Sequence, residues 1–416
     1  MFSVINRKIK RMVLRYQKSR PLIRISDTTL RDGMQTPGVS LEPGQKVTIA
    51  QALADAGIHS IDCGFPAAGP IEMAGVKAIA RQVDGPILTA HSRTKREDID
   101  AAAEALAGVS PLKKAITLFV GVSPLHREHK HNMTRAQVIK MLVDAVEYAG
   151  KHFEVISFGP EDASRAEPDF LAEIYEAAIQ AGCLSVGYTD TVGSQTPDRV
   201  TDAIKHIQDN VKSIDDSMIA VHFHNDLGLA TANALAAIKA GANVVQGTIN
   251  GIGERAGNTA IEEVVVALTL HHEEFAKSAS VDPEKLFELS KLIAEMTGFR
   301  LAANKPVVGR NIFRTETGVH QNGQLKHAAM YMPFPPAMIG AGPVELVLGP
   351  NSGSSAVRYH LEAAGLEPKD EHVNMILGYL KSGQISASDM PEVDGFLERI
   401  KPFMTMHERN GEPATS

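Results

Sequence analysis

The chain has 416 residues, of which 44% are hydrophobic and 22% charged, a composition typical of a water-soluble globular protein. Its length is sufficient for one large α/β domain with a smaller appended part. A net charge of −7 and the absence of tryptophan argue against a nucleic-acid partner. No apolar run approaches the roughly 20 residues of a membrane span, so we expect no membrane partner either.

The first 20 residues form a basic N-terminal arm, with seven lysines or arginines and no acidic residue. A solvated arm and an organelle transit peptide both agree with this composition, although serine is sparse for the latter. The two cysteines, Cys63 and Cys183, cannot form a disulfide framework and favour a reducing compartment. We therefore expect a cytoplasmic location, with organelle targeting by the arm left open.

From residue 22 onward, short strand-forming runs alternate with longer helical patterns. The predicted strands are residues 22–26, 60–64, 86–90, 115–120, 153–158, 184–189, 218–224 and 243–249. Eight such units within residues 21–275 match the size of a (β/α)8 TIM barrel, an α/β fold with a closed parallel sheet. An open doubly wound sheet is the alternative, but no glycine-rich phosphate fingerprint follows the first strand.

Beyond about residue 275 the strand–helix alternation stops. Helical patterns return at residues 283–297, 354–364 and 372–381, separated by irregular stretches. Residues 276–416 are therefore predicted to form a helical C-terminal appendage of one or more subdomains, without a separate regulatory domain.

Unusual polar residues follow the predicted strands, where the reacting groups of a TIM barrel lie. His222 and His224 are two residues apart in the seventh strand, so their imidazoles point to the same face and can bind one cation. Asp32, after the first strand, can add a carboxylate, and Asn258, after the eighth, a carbonyl oxygen. Two nitrogens and two oxygens suit a divalent ion such as Mg2+, Mn2+ or Zn2+.

Four long segments carry a family resemblance. Residues 27–33, DTTLRDG, resemble the signature of the DRE-TIM metallolyase superfamily, and residues 221–258 resemble the second signature of its synthase branch. Residues 157–171 and 317–331 are similar to 2-isopropylmalate synthases. The resemblance runs from about residue 22 to the end of the chain. It implies that Asp32, His222, His224 and Asn258 bind the metal ion.

The resemblance also implies a reaction, the Claisen-type condensation of acetyl-CoA with a 2-oxo acid to give a 2-alkylmalate and CoA. Arg31 adjoins Asp32 and is expected to stabilise the alkoxide that forms. Thr191 resembles the family threonine that binds the carboxylate of the 2-oxo acid. Glu161, His320 and Tyr331 form the group implied in removing the methyl proton of the acetyl group, with the identity of the base left open.

In the synthases the segment that contains His320 and Tyr331 reaches the active site of a neighbouring subunit, so the resemblance implies a homodimer. Family members regulated by leucine carry a further domain after the appendage, and we therefore expect weak or absent leucine feedback.

Four residues depart from the 2-isopropylmalate synthase pattern. Gly159, Gly187, Thr189 and Thr117 stand where those enzymes resemble one another in having Ser, Asn, Pro and His. Small residues at strand ends leave volume beside the alkyl group of the substrate. We therefore expect a 2-oxo acid with a longer or more polar tail than 2-oxoisovalerate, unless neighbouring side chains fill the space or the alignment is shifted.

The alternatives that remain are a homocitrate or citramalate synthase, a related metal-dependent acyl-CoA lyase, and a binding protein that has lost activity. Asp32 argues against homocitrate synthases, which usually have Glu there, although residues 127–129, Arg-Glu-His, faintly resemble them. The cysteine of the lyases is missing after the eighth strand, where this chain has Glu254 and Arg255.

Overall fold

The computed structural model describes residues 7–382. The chain divides into two compact units, residues 1–301 and residues 302–416. The first unit continues past residue 275, where the sequence pattern changes, and ends at Leu301. In residues 7–382, none of the helices combines the length and the apolar character that crossing a membrane requires.

The first unit contains a closed barrel of eight parallel strands. Its strands are β1 (Leu22–Asp27), β2 (Ser60–Asp62), β3 (Ile87–Arg93), β4 (Lys114–Phe119), β5 (Val155–Phe158), β6 (Ser185–Asp190), β7 (Met218–Phe223) and β8 (Val244–Gly247). Each strand pairs with its neighbour in sequence, and β1 pairs with both β2 and β8, which closes the sheet. The predicted TIM barrel is therefore confirmed, with all eight strands at their predicted places.

Helices connect successive strands and cover the outside of the barrel. They are α2 (Pro43–Asp55), α3 (Pro70–Gln82), α4 (Arg96–Ala105), α5 (Arg135–Ala149), α6 (Pro168–Ala181), α7 (Pro197–Asn210) and α8 (Ala230–Ala240), followed after β8 by α9 (Ile261–Leu270) and α10 (His272–Phe275). A further helix, α1 (Arg7–Ser19), precedes β1 and lines one end of the barrel interior. A short strand, β9 (Ser278–Ala279), pairs with β1, and α11 (Leu286–Thr297) ends the unit. Residues that face away from the barrel axis, such as Ile25, Ile61 and Val245, are completely buried under these helices.

The described part of the basic arm is the helix α1, which the sequence analysis did not predict. Lys10 donates to the carbonyl of Glu154 at 3.0 Å, and Arg15 lies 2.9 Å from the carboxylate of Asp216. Leu14 of the same helix is buried. The basic side chains of α1 are therefore paired with the segments that precede β5 and β7.

The second unit is helical, as predicted, with one small sheet. It contains α12 (Gly318–Lys326), α13 (Ser354–Ala363), α14 (Asp370–Lys381) and the parallel pair β10 (Arg314–Thr315) and β11 (Glu345–Leu346). The core that joins α13 and α14 consists of buried aliphatic residues, namely Leu348, Ala356, Val357, Leu361, Val373, Ile376 and Leu380. The helices predicted at residues 354–364 and 372–381 are present, whereas α12 was not predicted.

Candidate metal centre and active site

Three side chains that could hold a metal ion converge at the carboxyl ends of β1 and β7. The Nε2 atoms of His222 and His224 lie 3.3 Å apart, and the Nε2 atom of His222 lies 3.9 Å from Oδ2 of Asp32. All three residues are buried, and their ligand atoms lie within 4.8 Å of one another. Two imidazole nitrogens that share a tetrahedral Zn2+ lie roughly 3.3 Å apart. The spacing therefore fits a shared cation.

Asn258 completes this group from the loop after β8. An isolated antiparallel bridge pairs Asn258 with His224 and brings the two residues side by side. Its side-chain nitrogen donates to Oδ1 of Asp32 at 2.7 Å and to the carbonyl of Ile252 at 3.0 Å. Its Oδ1 atom is buried and has no hydrogen-bond partner within residues 7–382. A buried carbonyl oxygen without a partner is a suitable metal ligand.

The protonation states of His222, His224 and Asp32 are also those that metal ligands need. Burial, reinforced by the neighbouring His224, lowers the pKa of His222 to about 3, and burial likewise lowers the pKa of His224. Burial opposes the ionisation of Asp32, but Arg31 and the two histidines outweigh it and hold the pKa of Asp32 below its usual range. Neutral imidazoles and an ionised carboxylate are the forms that coordinate a metal ion.

Arg31 lies beside this group and is held by two carboxylates. Its Nη1 atom donates to Asp32 at 2.6 Å, and its Nε atom donates to Asp62 at 2.9 Å. Asp62, at the end of β2, is buried and also accepts a hydrogen bond from the hydroxyl of Thr28 at 3.3 Å. The guanidinium therefore has a fixed position next to the candidate metal ligands, as electrostatic stabilisation of an oxyanion requires.

Asp62 and His91 belong to this site, although the sequence analysis missed both. His91, at the carboxyl end of β3, stacks on Phe119 with ring centroids 4.6 Å apart, and its Nδ1 atom lies 3.8 Å from Asp62. Burial, reinforced by Arg31, lowers the pKa of His91 well below its ordinary value, so the imidazole is neutral. The rule that chemistry lies at the carboxyl ends of barrel strands would have found both residues at β2 and β3.

The loop after β8 approaches the candidate ligands closely at Gly253. This residue has a φ of +152°, and a Cβ atom there would lie 2.0 Å from the side-chain nitrogen of Asn258 and 2.8 Å from Asp32. A side chain at this position would therefore displace the two residues that the loop holds together.

The other predicted polar residues lie in the loops after β5 and β6. Glu161 accepts a hydrogen bond from Lys130 at 2.5 Å, and its carboxylate lies 3.4 Å from Nδ1 of His126. The hydroxyl of Thr191 accepts from the backbone nitrogen of Asp162 at 2.8 Å. In the described structure Glu161 is thus paired with the residues after β4, and its link to proton transfer stays a prediction.

The residues that depart from the family pattern are neighbours around one cavity. Gly159, Gly187, Thr189 and Thr117 all line it, together with the candidate ligand His222. A Cβ atom on Gly159 would lie 3.5 Å from the methyl group of Thr117, and one on Gly187 would lie 3.5 Å from Gly159. Both distances are ordinary van der Waals contacts, so a small side chain would fit at either position. The two glycines therefore leave space in the cavity that a side chain could have filled.

His320 and Tyr331 contact each other in the second unit. Their rings are stacked, with centroids 4.2 Å apart, and both side chains are exposed. His320 lies in α12, and Tyr331 follows the short 3-10 helix after it. The two side chains therefore lie together, as a shared role requires, and their part in catalysis stays a prediction.

Known protein families and proteins match most of the chain. Residues 22–293 match the HMGL-like family, and residues 307–386 match the "Homocitrate synthase post-HMGL domain-like" family. The 2-isopropylmalate synthase of Pyrococcus furiosus is 43% identical over 89% of this chain and 74% of its own length. That of Heliobacterium modesticaldum is 43% identical over 86% of this chain and 70% of its own length.

Solved structures with the same fold are more distant. The HMG-CoA lyase of Bacillus subtilis superposes with a TM-score of 0.58 at 22% identity, covering 68% of this chain and 97% of the lyase. The hydroxymethylglutaryl-CoA lyase of Pseudomonas aeruginosa gives a TM-score of 0.59 at 22% identity, covering 69% and 97%. The sequence matches span the barrel and most of the described second unit, and the chain therefore belongs to the HMGL-like family and, within it, to the group of the 2-isopropylmalate synthases.

Proposed function

We propose that this chain condenses acetyl-CoA with a 2-oxo acid, giving a 2-alkylmalate and free CoA. The observation that carries the proposal is the buried group of Asp32, His222, His224 and the unpartnered oxygen of Asn258, with Arg31 fixed beside it. The relatives named 2-isopropylmalate synthase support the same reaction type.

The acceptor would bind at these residues through its oxo and carboxylate oxygens. A divalent ion held there, Mg2+, Mn2+ or Zn2+, would polarise the carbonyl as a Lewis acid. Arg31 would stabilise the negative charge that grows on the former oxo oxygen when the acetyl carbon attacks it. Thr191 directly follows β6 and resembles the family threonine, so its hydroxyl would donate a hydrogen bond to the carboxylate of the acceptor.

Carbanion formation needs a base for the methyl proton of acetyl-CoA, and His320, Tyr331 and Glu161 are the candidates. The stacking of His320 on Tyr331 supports a joint role for these two. The proposal includes a homodimer in which the segment around His320 serves the active site of the partner subunit. It also includes a cytoplasmic location.

Homocitrate synthase is the second candidate, because residues 307–386 match a domain named after that enzyme. The acceptor would then be 2-oxoglutarate, whose distal carboxylate needs a cation. Arg127, the residue that suggested this reading, donates two hydrogen bonds of 2.8 Å to Glu167. Because Glu167 already neutralises the charge of Arg127, this pairing favours an acceptor without a distal carboxylate.

The test measures the release of free CoA from acetyl-CoA by titration of its thiol group. The acceptors compared are pyruvate, 2-oxoisovalerate, 2-oxoisocaproate, phenylpyruvate and 2-oxoglutarate. We expect release that requires a 2-oxo acid and is lost after chelation and in His222→Ala. Cleavage of hydroxymethylglutaryl-CoA without an acceptor would identify a lyase instead. Full metal occupancy with no turnover of any of these compounds would contradict the proposal.

A further inference from the structure

The middle of the barrel is lined by small side chains. In most TIM barrels, layers of four bulky residues from alternate strands fill the interior. The register of the strands and the alternation of inward-facing residues define the corresponding two layers here. Their members are Ser26, Thr89, Ser157 and Ala220 from odd-numbered strands, and Ser60, Ala115, Ser185 and Val244 from even-numbered strands. Except for Val244, none of them is larger than threonine.

These small residues surround a cavity of about 390 Å3. At one end it is lined by His222, Thr117 and Gly159, and at the other by Val13 and Leu14 of α1. At about 30 Å3 for a water molecule, this volume holds on the order of ten heavy atoms. The three-carbon alkyl group of 2-oxoisovalerate would leave most of it empty.

The wall of the cavity is polar in its middle part. Five residues with hydroxyl groups line the cavity, and none of these hydroxyls makes a hydrogen bond to another side chain or backbone group within residues 7–382; they are Ser26, Ser60, Thr89, Ser157 and Ser185. An occupant made only of hydrocarbon would leave these hydroxyls unpaired, at a cost in free energy. An occupant with oxygen or nitrogen atoms at this depth would pair with them.

The far end of the cavity is mixed in character, with the charged or polar residues Lys10, His59 and Glu154 beside apolar ones. Ile87, Val155 and Met218 line it together with α1, and the guanidinium of Arg24 turns to α1, where it donates to the carbonyl of Gln17 at 3.1 Å. Met218 and His222 are four residues apart on β7, which for a tilted strand is on the order of 10 Å along the axis.

We propose that the acceptor is an extended 2-oxo acid whose tail runs down the barrel axis, between the small side chains, and carries hydrogen-bonding atoms opposite the hydroxyls. This inference rests on the proposed function for the 2-oxo acid end of the molecule. The depth of the cavity corresponds to roughly six or more atoms beyond the oxo carbon. Short branched acceptors would bind without filling the barrel.

The first test measures kcat/KM for straight-chain 2-oxo acids from 2-oxobutyrate to 2-oxodecanoate, and for the same chains with one ether oxygen. We expect kcat/KM to rise at least tenfold with length, since one buried methylene group alone is worth about tenfold or more. The ether compounds should exceed the alkyl compounds of equal length. An optimum at four or five carbons in both series would overturn the proposal.

The second test fills the cavity. Ala115→Leu adds a bulky side chain in the middle of the barrel, whereas the matched Ala115→Ser leaves the cavity open. We expect Ala115→Leu to lower kcat/KM for the long acceptors by about 10- to 100-fold and to leave 2-oxobutyrate nearly unaffected. If Ala115→Leu melts below the assay temperature, Ser185→Val, in the same layer two strands away, replaces it. Equal losses for long and short acceptors would contradict the inference.

Calorimetric binding of 2-oxooctanoate and its ether analogue to the Mn2+-loaded protein separates this inference from the proposed function. If the wild type releases no CoA with any acceptor, the proposed function fails. Binding that Ala115→Leu weakens and Ala115→Ser retains would still place the tail in the barrel. Equal binding to the wild type and Ala115→Leu would overturn the inference whether or not turnover is found.

Discussion

The end of the barrel that contains the candidate metal ligands and the interior directly beneath it use polar residues in opposite ways. At the carboxyl ends of the strands, Arg31 is bonded to Asp32 and Asp62, and Asp32 is bonded to Asn258. In the interior, Ser157 and Ser185 line a cavity, and their hydroxyls make no hydrogen bond to another group within residues 7–382. The first region is organised by the protein itself, whereas the second depends on what enters it.

This difference indicates which property each region determines. A group whose charges are fixed before the substrate arrives is suited to the chemical step, because no reorganisation is needed during the reaction. A wall of small residues is suited to selecting the length and polarity of a ligand. Substitutions in the two regions should therefore separate reaction rate from acceptor choice.

The largest effect is expected at the candidate metal ligands. Asp32→Ala and His222→Ala should each abolish turnover with every acceptor, because the metal ion is lost while the helices and strands remain. Metal analysis after gel filtration, with circular dichroism as the control for folding, measures both properties. Retained metal stoichiometry in either variant would count heavily against the assignment.

Arg31→Ala should lower kcat by on the order of 10²–10³, the usual loss when a preorganised donor to an oxyanion is removed. Metal content should stay near that of the wild type, since Arg31 is a neighbour of the ligands and not a ligand. The loss should be the same for long and short acceptors, because the charge acts on the reacting oxygen. Near-normal kcat would remove Arg31 from the mechanism.

The choice of acceptor should show the next largest effect. We expect kcat/KM for 2-oxoisovalerate to be about 10- to 200-fold below that of the best acceptor, the range that a hydrophobic pocket of the wrong size usually gives. Competition between two acceptors in one reaction, with product analysis by mass spectrometry, measures the ratio directly. A clear optimum at 2-oxoisovalerate would contradict the enlarged pocket around Gly159 and Gly187.

Mixing two inactive variants tests the shared active site. His320→Ala and His222→Ala chains should form hybrid dimers in which one site is intact. Activity should then return to roughly a quarter of the wild type, because half of randomly mixed dimers are hybrids with one such site. Hybrids that form, as tagged pull-down would show, and remain inactive would exclude a contribution from the partner subunit.

The smallest effect is expected at the ion pair between Arg127 and Glu167, which we regard as structural. Hydrogen bonds from Arg127, opposed in part by burial, lower the pKa of Glu167 to about 2. Its stabilising effect is therefore complete above the unfolded pKa of about 4.5 and is lost as the pH falls towards 2. Glu167→Gln should cost less than about 1 kcal/mol at pH 7, because the side chain is partly exposed.

Thermal melting of the wild type and Glu167→Gln from pH 7 to pH 3 measures this loss. The difference in Tm should shrink as the pH falls, while acceptor preference stays unchanged. A shift in preference towards 2-oxoglutarate in this variant, in which the charge of Arg127 is no longer paired, would instead give Arg127 a role in substrate binding.

The eight strands and the candidate metal ligands could be predicted because their signals are local. Each strand is a short run of β-branched residues, and the spacing of His222 and His224 places both side chains on one face. Asp62 and His91 were missed because a single polar residue at a strand end carries no spacing that marks it. Both residues matter because they lie near Arg31, and this proximity arises only when the barrel closes.

The interior cavity was only partly predictable. Gly159 and Gly187 stood out by their departure from a family pattern, but Ser26, Ser157 and Ser185 are ordinary residues in a strand. Which of them share a layer depends on the register of the closed sheet, and the sequence does not fix that register. The helix α1 was missed for a similar reason, because its basic residues resemble a solvated arm until Glu154 and Asp216 are placed beside them.

The close approach at Gly253 has a consequence for the motion of the loop that contains it. Backbone hydrogen bonds of 2.9 Å join Asn258 to Gly251 and Asn225 to Gly257, so the loop is bonded to itself and to the loop after β7. Amide hydrogens in most surface loops exchange with solvent quickly, because brief local openings cost little. Here an opening that frees residues 251–258 must also separate Asn258 from Asp32 and His224. The amide exchange of this loop should therefore be as slow as that of the strands and should report on the integrity of the metal site.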